Sequence, residues 1–229
     1  PISSPPVNLP VTPGAYDGAI GPNTDDRDVF IARLSPDMIS LLALTYLGGA
    51  TRIDTSVYGW APRDYGKAVT VDSAGNVFIC GTIGSRDFPL TEGAHNSTIT
   101  RADAFVAKFS SDLGTLMAAT AFTVGYWNDE DLSSILTDAQ GNVYAAGWAG
   151  DGELPTDSGY DTTGNGWEDA IVVKFDNDLT TLLAATFLGA EQTDKAWGIA
   201  LDSAGNVFIA GETQSTAYKD SAFPVTPGA

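Results

Sequence analysis

Val71-Asp72-Ser73-Ala74-Gly75-Asn76-Val77-Phe78 decides the fold, because the chain writes its Asp-x-x-Gly-Asn-Val core three times. The second copy is Thr137-Asp138-Ala139-Gln140-Gly141-Asn142-Val143-Tyr144, and the third is Leu201-Asp202-Ser203-Ala204-Gly205-Asn206-Val207-Phe208. Their Gly-Asn pairs are 66 and then 64 residues apart, a period that suits one supersecondary unit per copy. Asp bonds the backbone two residues on, and Gly accepts the left-handed conformation that closes a short hairpin. Each copy therefore reads as a tight turn between two strands, with Asp72, Asp138 and Asp202 in structural roles.

Working outward, a second element recurs as Asp28-Val29-Phe30-Ile31-Ala32-Arg33, Asp103-Ala104-Phe105-Val106-Ala107-Lys108 and Asp169-Ala170-Ile171-Val172-Val173-Lys174. A third is Leu44-Thr45-Tyr46-Leu47-Gly48-Gly49, repeated as Ala185-Thr186-Phe187-Leu188-Gly189-Ala190, with a looser copy at 119–125. A fourth is a turn after Pro10, Pro89, Pro155 and Pro224, spaced 79, 66 and 69. The middle period holds four short apolar runs, 134–137, 142–148, 170–175 and 182–188, bounded by Asp, Asn and Gly. Runs of that length and punctuation are strands. Val29–Leu34 is apolar on both faces, which predicts a strand covered on both sides. Four strands per repeat predict an all-β chain of propeller blades.

Composition agrees. The chain has 229 residues, 29 Asp+Glu against 11 Lys+Arg, and a net charge of -18. Of the acids 23 are Asp and only 6 are Glu, a bias toward turns over helix surfaces. The 43% hydrophobic content excludes a disordered acidic tail. The acidic balance excludes a nucleic-acid binder, which needs a basic footprint. No apolar run approaches the ~18 residues of a membrane span. A single Cys (Cys80) excludes an internal disulfide framework. Pro1–Pro6 lacks the basic and apolar parts of a secretion signal, so a mature, cut or cytosolic chain is expected. Asn96-Ser97-Thr98 fits a glycosylation sequon.

The repeated elements resemble the bacterial and archaeal SBBP β-propeller repeat. The resemblance rests on Asp103–Lys108, Leu42–Gly49, Gly198–Gly211 and Phe223–Ala229. It departs at 133–137, at 154–160 and in an insertion at 50–62. It implies four-stranded antiparallel blades, about three per chain, in a large extracellular or cell-surface protein, and it carries no catalytic motif. By analogy with other propellers the Gly-x-Ala-Val-Asp strand is innermost and Leu-x-x-x-Thr-x-Leu outermost. On that phasing the chain opens with the outer two strands of a blade (29–34, 41–47) and runs through two whole blades. It ends with the inner two strands of another (198–201, 206–211). Three blades fall below the ~4–8 that close a ring. Two chains forming a six-bladed ring, or one segment of a longer propeller, are the expectations. Residues 1–16 read as a Pro-rich segment, linker or arm, and 17–229 as the repeats.

Candidate sites divide into three groups. Asp64, Glu130 and Asp194 share one repeat position, and Asp28, Asp103 and Asp169 another. These six acids are the candidate ligands for Ca2+, which takes carboxylate oxygens; the competing reading is structural bonding to neighbouring-blade amides or Lys. Arg33, Lys108 and Lys174 are also equivalent and offer a repeated inter-blade ion pair. Tyr58, Trp60, Tyr126, Trp127 and Trp167 fall in loops that share one propeller face and are candidates for stacking a glycan or anchoring a protein. Trp148 and Trp197 read as core strand positions. His95 reads as an exposed loop histidine and Cys80 as a buried thiol, which leaves no nucleophilic triad.

The leading expectation is a noncatalytic surface protein acting in structural assembly or adhesion, partnered by its own copies or other surface proteins. The alternative is a calcium- or glycan-binding module using the acidic, aromatic loops. A third reading is a propeller glycoside hydrolase or lyase built on paired carboxylates.

Overall fold

A computed structural model of the chain describes residues 9–21, 27–51, 63–99, 103–124, 130–156, 159–215 and 223–226. The described residues form twelve strands and no helix, so none is long and apolar enough to cross a membrane. β1 (Val29–Leu34) and β2 (Leu41–Leu47) make a two-stranded sheet. β3 (Tyr65–Val71), β4 (Val77–Thr82), β5 (Ala104–Phe109) and β6 (Leu116–Phe122) make a four-stranded antiparallel meander. β7 (Asp131–Thr137), β8 (Val143–Ala149), β9 (Asp169–Phe175) and β10 (Leu182–Leu188) make a second. β11 (Asp194–Leu201) and β12 (Val207–Thr213) make a final two-stranded sheet. The chain is a partial propeller: outer half-blade, two whole blades, inner half-blade.

The predicted hairpins form alike in all three copies. Asp72 Oδ1 accepts the N–H groups of Ala74 (2.9 Å) and Asn76 (2.8 Å), and Oδ2 accepts Asn76 Nδ2 (2.9 Å). Asp138 and Asp202 accept the same set from Gln140 with Asn142 and from Ala204 with Asn206. Gly75, Gly141 and Gly205 sit at φ 86°, 85° and 85°, the left-handed region where a side chain is strained. The innermost strands are longer than their apolar runs suggest. Each carries a register shift, at Gly66/Ala68, Leu132/Ser134 and Ala196/Gly198, and such a bulge breaks the alternation by which a strand is read.

Packing follows chain order. Val29, Ile31 and Leu47 of the outer half-blade pack on Ile79, Phe105 and Phe109 of the first whole blade. The opposite face of that blade, with Phe78, Cys80 and Val106, packs on Ile171, Val173 and Phe175 of the second. The far face of the second blade meets the inner half-blade through Ala146, Ala170, Ala196, Ile199 and Ile209. Residues 9–17, which precede β1, lie along β2: Tyr46 N–H donates to the Asp17 carbonyl (3.2 Å) and Leu44 N–H to Thr12 Oγ1 (3.0 Å).

Gly205→Ala isolates the turn requirement, because a methyl there meets nothing within 4 Å. Denaturant unfolding is expected to show a loss of about 1 kcal/mol from the left-handed backbone alone.

Candidate functional site

The acids Asp64, Glu130 and Asp194 stand just before or at the start of the innermost strands and are buried. Each latches onto the N–H two residues past the preceding blade's outermost strand. Gly49 N–H donates to Asp64 Oδ2 (2.9 Å), Val124 N–H to Glu130 Oε1 (3.2 Å) and Ala190 N–H to Asp194 Oδ2 (2.9 Å). Asp64 also accepts the N–H groups of Gly84 (2.7 Å) and Ser85 (3.1 Å) and the Ser85 hydroxyl (2.7 Å). Asp194 accepts the Ser215 hydroxyl (2.8 Å). One carboxylate thus ties the end of one blade to the start of the next and to the loop after its second strand. Burial pushes Asp64 up to about 6 in spite of these donors.

The second set precedes or opens the third strands. Asp28 Oδ2 accepts Gly21 N–H (2.9 Å) and Asp169 Oδ2 accepts Asn165 N–H (2.7 Å). Asp103 is fully buried, and its carbonyl accepts Ile83 N–H (2.7 Å). Burial pushes Asp169 up to about 6, against the Asn165 bond and with the Asp194 and Asp161 carboxylates adding to it. Among the described residues no three His, Cys, Asp or Glu side chains gather in a group able to hold a metal ion. Asp64, Glu130 and Asp194 sit at blade junctions, whereas Asp28, Asp103 and Asp169 sit at or just before the starts of third strands.

Of the aromatic candidates, Tyr58, Trp60, Tyr126 and Trp127 lie outside the described residues. Trp167 is exposed. Trp197 is not a core residue: it occupies the bulge of β11, which turns it half out to solvent. Its ring meets Trp148 edge to face at 4.9 Å, and Lys195 Nζ lies 4.5 Å from the Trp148 centroid. His95 is not an exposed loop residue either. Its N–H donates to the Leu179 carbonyl (2.8 Å) and its ring lies 5.7 Å from Phe175, so it sits between blades, and burial holds its pKa down. Cys80 is buried with Sγ 3.2 Å from the Leu132 carbonyl, and burial pushes its thiol pKa far up. The three equivalent cations do not make one repeated ion pair. Lys108 reaches Asp178 (3.3 Å) in the next blade, Arg33 Nη1 reaches the Ser111 carbonyl (3.2 Å), and Lys174 turns back to Asp138 (3.9 Å) in its own blade. Among the described residues no outer turn lies beside the inner half-blade for Lys174 to reach.

The two open half-blades are the surfaces that depart from the repeat. Phe30 is 59% exposed, whereas its repeat equivalents Phe105 and Ile171 are buried. Leu34 is exposed, and its equivalents Phe109 and Phe175 are buried. Phe208 is 58% exposed, and Phe78 and Tyr144 are buried. β1 is thus covered on one face, not on the two its sequence provides for. The turn after it adds a feature that its sequence did not announce. Met38, Leu113 and Leu179 occupy one position and all have positive φ, 58°, 61° and 57°, which is strained for a side chain. Leu113 and Leu179 offset that strain by full burial in an inter-blade core, while Met38 is 77% exposed. The sequence signal was slight: an apolar residue directly after Asp37, Asp112 and Asp178.

Four-stranded blades stacked in chain order, with a carboxylate latch at each junction, define a β-propeller repeat protein. The SBBP family model, a beta-propeller repeat, matches residues 44–89 and 180–219, and the chain carries repeats of that family. Both matches cross a latched junction; the middle copy, divergent at 133–137, lies outside them. No curated protein matches the chain.

Stability should follow the buried acids. With Asp64 and Asp169 near 6 in the folded chain against an ordinary 3.8, the folded state binds more protons between those values. Stability therefore rises as pH falls through that window. The hairpin acids act oppositely. Against the push of burial, hydrogen bonds from Asn76 and Ala74 hold Asp72 low, and Asn142 and Gln140 do so for Asp138. Their contribution is lost as pH falls through their folded values. Calorimetry is expected to give a higher Tm at about pH 5 than at pH 7 and a fall below about pH 3, with Asp64→Asn reducing the rise.

Proposed function

We propose that the chain is a noncatalytic extracellular or cell-surface β-propeller repeat protein whose role is structural assembly or adhesion. The observation that carries the reading is the exposure of Phe30, Leu34, Met38 and Phe208 at repeat positions that the whole blades bury. Clustered apolar exposure of that kind marks an interaction surface, and the free edges of β1 and β12 offer backbone groups to a further strand. The recurring acids support the noncatalytic part. Asp64 and Asp194 are buried and turned onto backbone amides and hydroxyls, where no substrate reaches them. The extracellular placement rests on the family resemblance, and labelling of intact cells with a membrane-impermeant reagent tests it.

A second reading, glycan binding, has Trp148, Trp167 and Trp197 in its favour, with two of the rings exposed. It predicts retention on a glycan surface that Trp197→Ala abolishes.

Light scattering tests the leading reading. The mass is expected to exceed the 23.9 kDa of one chain and to persist in chelator, because the latch carboxylates already have N–H donors. A mass of one chain at every concentration contradicts assembly, and loss of mass in chelator assigns calcium to the contacts.

A further inference from the structure

Resting on the assembly reading, we propose that each open half-blade is completed by a second copy of this chain. β12 of one copy pairs antiparallel with β1 of the next, in the register that joins second to third strands in the whole blades.

The whole blades supply the template. β4 pairs with β5 through Val77↔Phe109, Phe78↔Lys108 and Ile79↔Ala107. β8 pairs with β9 through Val143↔Phe175, Tyr144↔Lys174 and Ala145↔Val173. The same positions across two copies are Val207 with Leu34, Phe208 with Arg33 and Ile209 with Ala32. The second pair carries chemistry. Lys108 Nζ lies 5.6 Å from the Phe78 centroid and Lys174 Nζ 4.8 Å from that of Tyr144, each a cation against a ring. Phe208 and Arg33 are the third instance, divided between copies. Arg33 is already held in place, since its bond to the Ser111 carbonyl matches the bond from Lys108 Nζ to the Asn177 carbonyl (3.2 Å).

The seats are also present. A cavity of about 470 Å³ lies on the far face of the second whole blade beside the inner half-blade, lined by Tyr144, Tyr160, Val172, Lys174, Val207 and Ile209 among others. It is where an outer half-blade would pack, and its occupants are Phe30, Leu34 and Met38 of the second copy. Tyr160 holds the place that Tyr16 and His95 hold at the other junctions. Tyr16 N–H donates to the Leu113 carbonyl (3.1 Å) with its ring 5.6 Å from Phe109, and His95 does the same to Leu179 and Phe175. Exposed Tyr160 is thereby set to cover Leu34 and to donate to the Met38 carbonyl of the second copy. Lys174, which turns back on its own blade, gains Asp37 as Lys108 has Asp178. The reciprocal cavity, about 560 Å³ between β1 and β3 and including Val29, Gly66 and Ala68, receives Phe208 and Ala210. The contact joins unlike ends, so it is head-to-tail and either closes or propagates. Two copies closed at both ends make six blades, within the roughly four to eight of known rings.

Mixed cysteine variants test the register. Phe208→Cys chains mixed with Arg33→Cys chains and mildly oxidised are expected to give a disulfide-linked pair of copies. Phe208→Cys with Ala32→Cys, on opposite sheet faces, is expected to give little. Buried Cys80 stays out of the exchange. Equal yields from both mixtures overturn the register. A bond that forms only when both cysteines are on one chain overturns the second copy in favour of the chain's own other end. Phe30→Asp is expected to weaken association at least roughly tenfold and to leave the Tm of the dilute chain unchanged, since Phe30 is exposed there; unchanged association overturns the seat. Wild-type mass above one chain without the in-register bond refutes this proposal alone, whereas wild-type mass of one chain refutes the assembly reading beneath it.

Discussion

Everything in this molecule depends on the contact between the faces of consecutive blades. A four-stranded sheet whose strands are apolar on both sides cannot cover itself, and two neighbours are needed to do so. Each whole blade has them: Phe105 and Phe109 face backward into one core, while Phe78 and Val106 face forward into another. Stability in such an array is a sum over junctions, and the half-blades at the two ends are the places where the sum is incomplete. The left-handed turn residues make the dependence concrete. Leu113 and Leu179 hold a strained backbone because the neighbouring blade buries their side chains. Met38 keeps the same backbone in the open.

The polar side of the junction is the carboxylate latch. A buried acid is costly unless its oxygens are bonded, and Asp64 shows both sides of that balance, with four donors and a raised pKa. Spacing from latch to partner varies widely, from 15 residues at Gly49 and Asp64 to 4 at Ala190 and Asp194. The junction is therefore fixed by the bond and not by the loop, which explains why a long insertion is accommodated between β2 and β3. Of the acids only Asp131, Asp169, Asp194 and Glu212 lie within the described strands, so the strands are largely apolar despite the net charge of -18.

Much of the architecture was legible in the sequence, for identifiable reasons. The Asp-x-x-Gly-Asn turn needs Asp to cap the backbone and Gly in the left-handed region, so its three copies marked the blade period. Short apolar runs then marked the strands, and the phasing into half, whole, whole and half followed from their order. The recurrence of Asp64, Glu130 and Asp194 beside each innermost strand was legible as well. What escaped depends on contacts far away in sequence. Trp197 reads as core, but a bulge turns it outward. His95 reads as a loop residue, but the loop folds over the next blade's turn. Lys174 matches Lys108 in sequence and differs in partner, because among the described residues the turn that Lys108 reaches has no counterpart beside the inner half-blade. Met38 carries no local mark of its strain, since only alignment with Leu113 and Leu179 reveals the position.

On the proposed pairing the edges of β1 and β12 are latent partners of one another. Hydrogen exchange resolved to Val29–Leu34 and Val207–Thr213, compared between dilute and concentrated solution, tests that claim most directly. The outward amides of both strands are predicted to slow together as concentration rises, while those of β4 and β5 stay equally protected throughout. Exchange of β1 and β12 that is equally fast at both concentrations would contradict it.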